Sequence, residues 1–209
     1  MSTLALPDNE ALAAEDAARA DLYALLAALW ASAPAPSLLQ AVAAADDIGA
    51  AAEGDPPLAR EWRRLQAACA VTDPEAVRAE YRDLFISVGE PPVVLNASWY
   101  LTGFLNEVPL AELRDDLARL GFSRLQSAVE TEDHIAALLE AMRLLIVTRQ
   151  DDPAGGFETQ KAFFFRHLKP WYTKLAARVE QTEGANFYRN VVALTRVFLD
   201  TESAQFENY

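Results

Sequence analysis

Apolar side chains recur every three or four residues along nearly the whole chain, and no convincing run alternates. Leu22, Leu25, Leu26, Leu29 and Trp30 form one stripe, and Val77, Tyr81, Leu84, Phe85 and Val88 a second. Ile135, Leu138, Leu139, Met142, Leu145 and Ile146 form a third, and Phe187, Val191, Leu194 and Phe198 a fourth. A period near 3.6 residues commits these segments to helices that bury one face, whereas a strand needs a period of two. Only 8 of the 209 residues are glycine, which removes much of the backbone freedom that opposes helix. The expected class is all-α: a single domain of about nine helices.

Proline and glycine punctuate the pattern. "ASAPAPS" stops the first helix, "GDPP" separates a short Ala-rich helix from "LAREWRRLQAACAV", and "TDPEA" starts the next with Pro74 at the first helical position. "VGEPPVVLNAS" is the longest turn-rich stretch, and it reads as a hinge loop over 89–97 carrying Gly89, Pro91 and Pro92. It divides an N-terminal part, about 10–88, from a C-terminal part, about 98–202. Within the latter, Gly121 closes the helix "PLAELRDDLARLGF", "RQDDPAGG" ends the third stripe, and Pro170 must break the aromatic segment "FFFRHLKPWYTKL".

Charge and residue supply narrow the function. A net charge of −13 repels phosphate backbones and anionic lipid, which argues against nucleic-acid binding and membrane attachment. The same charge attracts a basic peptide. No stretch reaches the ~18 apolar residues of a membrane span, and "MSTLALPDNEALAAEDAARADLY" lacks a basic, then apolar, leader. The expected location is the cytoplasm. One cysteine, Cys69, excludes a disulfide framework or a cysteine-based zinc site, and its small apolar neighbours suit a buried structural thiol. There is no phosphate loop, dinucleotide fingerprint, nucleophile elbow or HExxH. No cofactor is expected.

Only two histidines occur, and one of them, His134, follows Asp133 in "ETEDHIAALLEAM". Adjacent residues on a helix point about 100° apart, so the pair is poorly suited to chelating one ion. On a helical wheel His134 falls at the rim of the apolar stripe and Asp133 opposite it. Thr131, or Ser127 with Glu130, has the spacing of a helix cap, and a carboxylate in the first turn favours the helix dipole. The residues alone leave three functions open: a peptide-binding protein, a helical adaptor that binds a folded partner, or a helical hydrolase using Asp133 and His134.

Three segments in order, "EYRDLFISVGEPPVVLNASWYL", "ETEDHIAALLEAM" and "FFFRHLKPWYTKLAARVEQTEGANFYRNVVALTRVFLDTE", resemble the TorD/DmsD/NarJ-like chaperones that mature molybdenum oxidoreductases. The resemblance runs from about Leu22 to Glu202. Asp133 and His134 match the family's Asp-His signature, Tyr81, Leu84 and Phe85 its Tyr-x-x-Leu-Phe segment, and Gly89 and Pro91 its loop. Thr131 stands where the family often has proline, and both residues suit a helix start. The resemblance implies an all-helical, non-enzymatic cytoplasmic chaperone. It would bind the twin-arginine leader of a partner's catalytic subunit and delay export until the cofactor is inserted. It also implies a leader site formed by Asp133, His134, Tyr81, Phe85, Trp99, Tyr100 and Glu132. There Asp133 would accept hydrogen bonds from a leader arginine, and Phe85 and Trp99 would take its apolar stretch. A monomer or a domain-swapped dimer is compatible with the hinge.

Overall fold

A computed structural model of the chain describes residues 14–48, 54–86, 89–123, 129–148 and 153–208. Ten helices are found among them: α1 (Ala14–Ala31), α2 (Pro36–Ala44), α3 (Pro57–Val71), α4 (Pro74–Phe85), α5 (Ala97–Thr102), α6 (Val108–Arg119), α7 (Ile135–Thr148), α8 (Pro153–His167), α9 (Tyr172–Gln181) and α10 (Phe187–Glu207). The all-α class expected from the periodicity is what the chain adopts. Val88 and Ser127 lie outside the described residues.

The helix boundaries follow local chemistry. Pro36, Pro57 and Pro74 each occupy a first-turn position, where a missing N–H costs nothing. Asp73 caps α4 by accepting from the Glu75 N–H at 3.1 Å. Gly121, at φ +83°, sits just beyond α6 in the left-handed region that ends helices. The chain breaks between His167 and Tyr172, around Pro170.

The two parts of the sequence share one core. α1 packs along α7, α2 on α3, and α10 against α3, α4 and α9. Trp30, Tyr81, Phe85 and Tyr188 form an aromatic cluster with ring centroids 4.9–5.9 Å apart. Each polar end is satisfied: Tyr81 Oη donates to the Trp30 carbonyl at 3.1 Å and Trp30 Nε1 to Thr195 Oγ1 at 3.0 Å. Cys69 is buried among these helices, and burial pushes its thiol up to about 11, where it is an inert apolar group.

One charged cluster crosses the core. The Arg19 guanidinium on α1 donates Nε and Nη2 to the two oxygens of Glu202 on α10, both at 2.8 Å. Nη2 also donates to Gln160 on α8 at 2.9 Å, and Tyr23 Oη donates to Glu202 at 2.9 Å. Arg19, Glu202 and Gln160 are all buried, so this fork–fork pair with its two neutral partners ties three helices together. Removing Glu202 leaves Arg19 its 2.7 Å ion pair with the more exposed Asp16 but takes away the buried carboxylate at its fork. Glu202→Ala is therefore expected to lower unfolding free energy by ~3–5 kcal/mol in urea titration, while an Arg19→Met, Glu202→Leu double variant recovers most of it.

Candidate functional site

The signature aspartate and histidine precede a helix rather than sit on one. α7 begins at Ile135, so the helical wheel does not describe either residue. The strand-like segment 95–97 lies antiparallel to 133–135, with the Ala97 N–H donating to the Asp133 carbonyl at 2.9 Å and the Ile135 N–H to the Leu95 carbonyl at 2.8 Å. This short clamp turns the Asp133 side chain inward, onto the start of α5.

Asp133 is only 2% exposed. Its Oδ2 accepts from the Ser98 N–H at 3.0 Å and from Ser98 Oγ at 2.5 Å. Its Oδ1 accepts from Thr131 Oγ1 at 2.6 Å and Asn96 Nδ2 at 3.1 Å. Burial alone would lift this carboxyl, but the bonds from Ser98, Thr131 and Asn96 outweigh it and hold it below the usual carboxylate range. Asn96 occupies the N-cap of α5 with no capping side-chain bond of its own. Asp133 caps that helix from across the fold.

His134 caps the other helix. It immediately precedes α7, its carbonyl accepts the Leu138 N–H at 3.1 Å, and its Nδ1 accepts the Ala136 N–H at 3.2 Å. That bond needs a lone pair on Nδ1, hence a neutral ring. Burial lowers the imidazole to about 4, against a weaker upward pull from Asp133. The cap of α7 is thus His134 itself, while Thr131, with the spacing of a cap, serves Asp133 instead. Adjacent in sequence, the two residues serve two different helices.

The remaining expected site residues separate into two groups. Tyr81 and Phe85 belong to the aromatic core described above, Tyr81 buried and Phe85 half-buried. Trp99, Tyr100 and Glu132 are half-buried beside the clamp. Tyr100 stacks on Trp171 at 5.4 Å and donates its hydroxyl to the Val94 carbonyl at 2.8 Å, while Glu132 accepts from Arg114 on α6 at 2.8–2.9 Å. In the loop, Gly89 and Pro92 are exposed and Pro91 half-buried, with Gly89 at φ +101° in a region that favours glycine. Val93, Val94 and Leu95 plunge into the protein, and the Pro92 carbonyl accepts from Arg178 Nε at 2.7 Å.

Two features escaped the sequence reading. Glu80 on α4 accepts from the backbone N–H groups of Asn186, Phe187 and Tyr188 at 2.8–3.0 Å, capping α10 from across the fold as Asp133 caps α5. The hint was present in "EYRDLF", whose glutamate precedes a core tyrosine. The corner between α5 and α6 also exposes Leu101, Phe104, Leu105 and Val108. Beneath Leu101 lies a hollow of about 90 Å³ walled in part by Leu113, Leu138, Asp133 and His167, and a second, of about 190 Å³, opens between α6 and α8. Both are smaller than the ~300–1,000 Å³ typical of small-molecule sites. Among the described residues, no three His, Cys, Asp or Glu side chains group as a metal requires, and no helix is long and apolar enough to cross a membrane.

The family described as nitrate reductase delta subunit matches residues 51–177, more than half of the chain. Similar curated proteins are named Chaperone protein TorD. The one from Vibrio atlanticus is 27% identical over 133 residues, covering 59% of this chain and 62% of its own length. Those from Vibrio parahaemolyticus (26% identical; 60% of this chain, 62% of its own) and Vibrio cholerae (25%; 59% and 59%) are comparable. The matches thus span about three-fifths of these relatives.

Both caps have measurable consequences. Asp133→Ala leaves the buried Ser98 N–H without an acceptor and is expected to cost about 2–3 kcal/mol in urea denaturation at pH 7.5. His134 has a folded value of about 4 against 6.5 ordinarily, so on acidification the unfolded chain takes up its proton first. Stability is then complete above pH ~6.5 and falls towards pH ~4, by ~2 kcal/mol at pH 5 from this residue. His134→Asn keeps a capping oxygen without titrating. It is expected to flatten the denaturation-derived slope over that window in part, since His167, also buried and lowered to about 4, retains its own contribution.

Proposed function

The chain belongs to the nitrate reductase delta subunit family of NarJ- and TorD-like proteins, and on that premise we propose that it is a cytoplasmic chaperone dedicated to one molybdenum oxidoreductase. It binds the twin-arginine leader of that enzyme's catalytic subunit, holds the subunit back from export, and assists cofactor insertion. The observation that carries the reading is the family match across residues 51–177, which includes both the loop and the Asp-His signature.

The local chemistry supports binding rather than catalysis. In a general acid–base pair, a proton-carrying group must reach a substrate. Asp133 instead directs its oxygens at Ser98, Thr131 and Asn96, and His134 Nδ1 accepts the Ala136 N–H. In this reading they are positioning residues for the leader site, fixing the segment that carries the half-exposed Trp99 and Tyr100. Glu132, half-buried and paired with Arg114, is the acid of the signature region that a leader arginine meets beside that ion pair. Tyr81 and Phe85 support the same wall from the core side. The net charge of −13 favours approach of a cationic leader.

Co-expression with the catalytic subunit of a molybdenum oxidoreductase, with and without its leader, tests the proposal. The chain is expected to co-elute with the leader-bearing, cofactor-free subunit, and to do so at least tenfold less with the leaderless form. Co-elution that is equal for both forms, or absent for every subunit tried, would overturn it.

A further inference from the structure

We propose that the corner joining α5 to α6 is the surface on which a peptide segment with an apolar stretch beside cations docks; this rests on the reading of the chain as a leader-binding chaperone. The described residues include eight exposed large apolar side chains, and four of them fall within 101–108: Leu101 (37% exposed), Phe104 (67%), Leu105 (49%) and Val108 (63%). Elsewhere Ile48, Val71, Ile86 and Val129 are scattered along the chain, as single surface hydrophobes usually are. Concentration at one corner is what marks an interaction surface.

The corner is preorganised. Gly103, at φ +84°, ends α5 in the left-handed region. Thr102 Oγ1 donates to the Ser98 carbonyl at 2.9 Å and accepts the Phe104 N–H at 3.2 Å. Ser98 is in turn held through its N–H and hydroxyl by Asp133. A chain of hydrogen bonds thus runs from the buried signature carboxylate to the backbone of the most exposed phenylalanine. Fixing the apolar groups before binding reduces the ordering entropy that association must overcome.

Charge selects the occupant. Glu107, between Leu105 and Val108, and Asp115 on α6 are exposed and form no ion pair among the described residues. They offer free carboxylates at the edge of an apolar surface, which complements a segment of apolar residues flanked by arginine or lysine. A second copy of this chain fits poorly, because each copy carries −13.

Titration calorimetry of the full chain with a synthetic peptide, two adjacent arginines followed by a leucine–alanine stretch, tests the assignment. The Phe104→Ser, Leu105→Ser variant should melt as the parent does, since both side chains face solvent, yet raise the dissociation constant tenfold or more. Glu107→Gln with Asp115→Asn should weaken binding less and flatten its salt dependence. Hydrogen exchange of the parent should show peptide-dependent protection at 101–108. If the parent binds the peptide and the Phe104, Leu105 variant binds it equally, with no protection at the corner, the docking assignment is wrong while the chaperone reading stands. A variant that changes only the oligomeric state makes the corner a self-association surface and overturns the assignment. If the parent binds neither this peptide nor a leader-bearing subunit, reading and corner fall together.

Discussion

An all-helical chain must satisfy the N–H groups that every helix start leaves without intrahelical partners. Here two carboxylates from distant parts of the sequence meet that need: Glu80 covers the start of α10, and Asp133 the start of α5. Each bonds the backbone of a helix whose own N-cap residue makes no capping side-chain bond. A trans cap does two things at once. It satisfies donors that burial would otherwise leave stranded, and it fixes where one helix begins relative to another. The position of α5, and with it the exposed corner that follows, depends on Asp133 in this direct sense.

The same logic explains why the N- and C-terminal parts form one body. α1 lies along α7, α10 along α3 and α4, and the Arg19–Glu202 fork spans first helix to last. Apolar packing supplies the bulk of such a core without specifying its arrangement finely. The buried polar contacts add direction, because a guanidinium fork donates to a carboxylate in only a few geometries. The loop between Gly89 and Asn96 is a linker only over its first residues. From Val93 onward it is anchored by burial and by the 95–97 clamp against 133–135.

Most of the fold was legible in the sequence, because helix period and proline placement are local properties. Pro74, Gly121 and the break around Pro170 mark real ends. Asp133 and His134 stood out by rarity and by resemblance, but their roles could not be read locally. The wheel assumed they belonged to the helix, whereas the donor that Asp133 serves, Ser98, lies 35 residues away. Glu80 and Arg19 were illegible for the same reason, as one glutamate and one arginine among many charges. Nothing in the composition of "ASWYLTGFLNEV" says that Phe104 and Leu105 emerge while Ala97 and Ser98 sink.

The stitch between the first and last helices also bears on synthesis. Arg19 and Glu202 are 183 residues apart, and at ~5–20 residues per second a ribosome needs roughly ten to forty seconds to travel between them. Throughout that interval α1 has its cation but not its carboxylate, and α10 cannot yet cover α3 and α4. The nascent chain therefore cannot close this part of its core until α10 has been made.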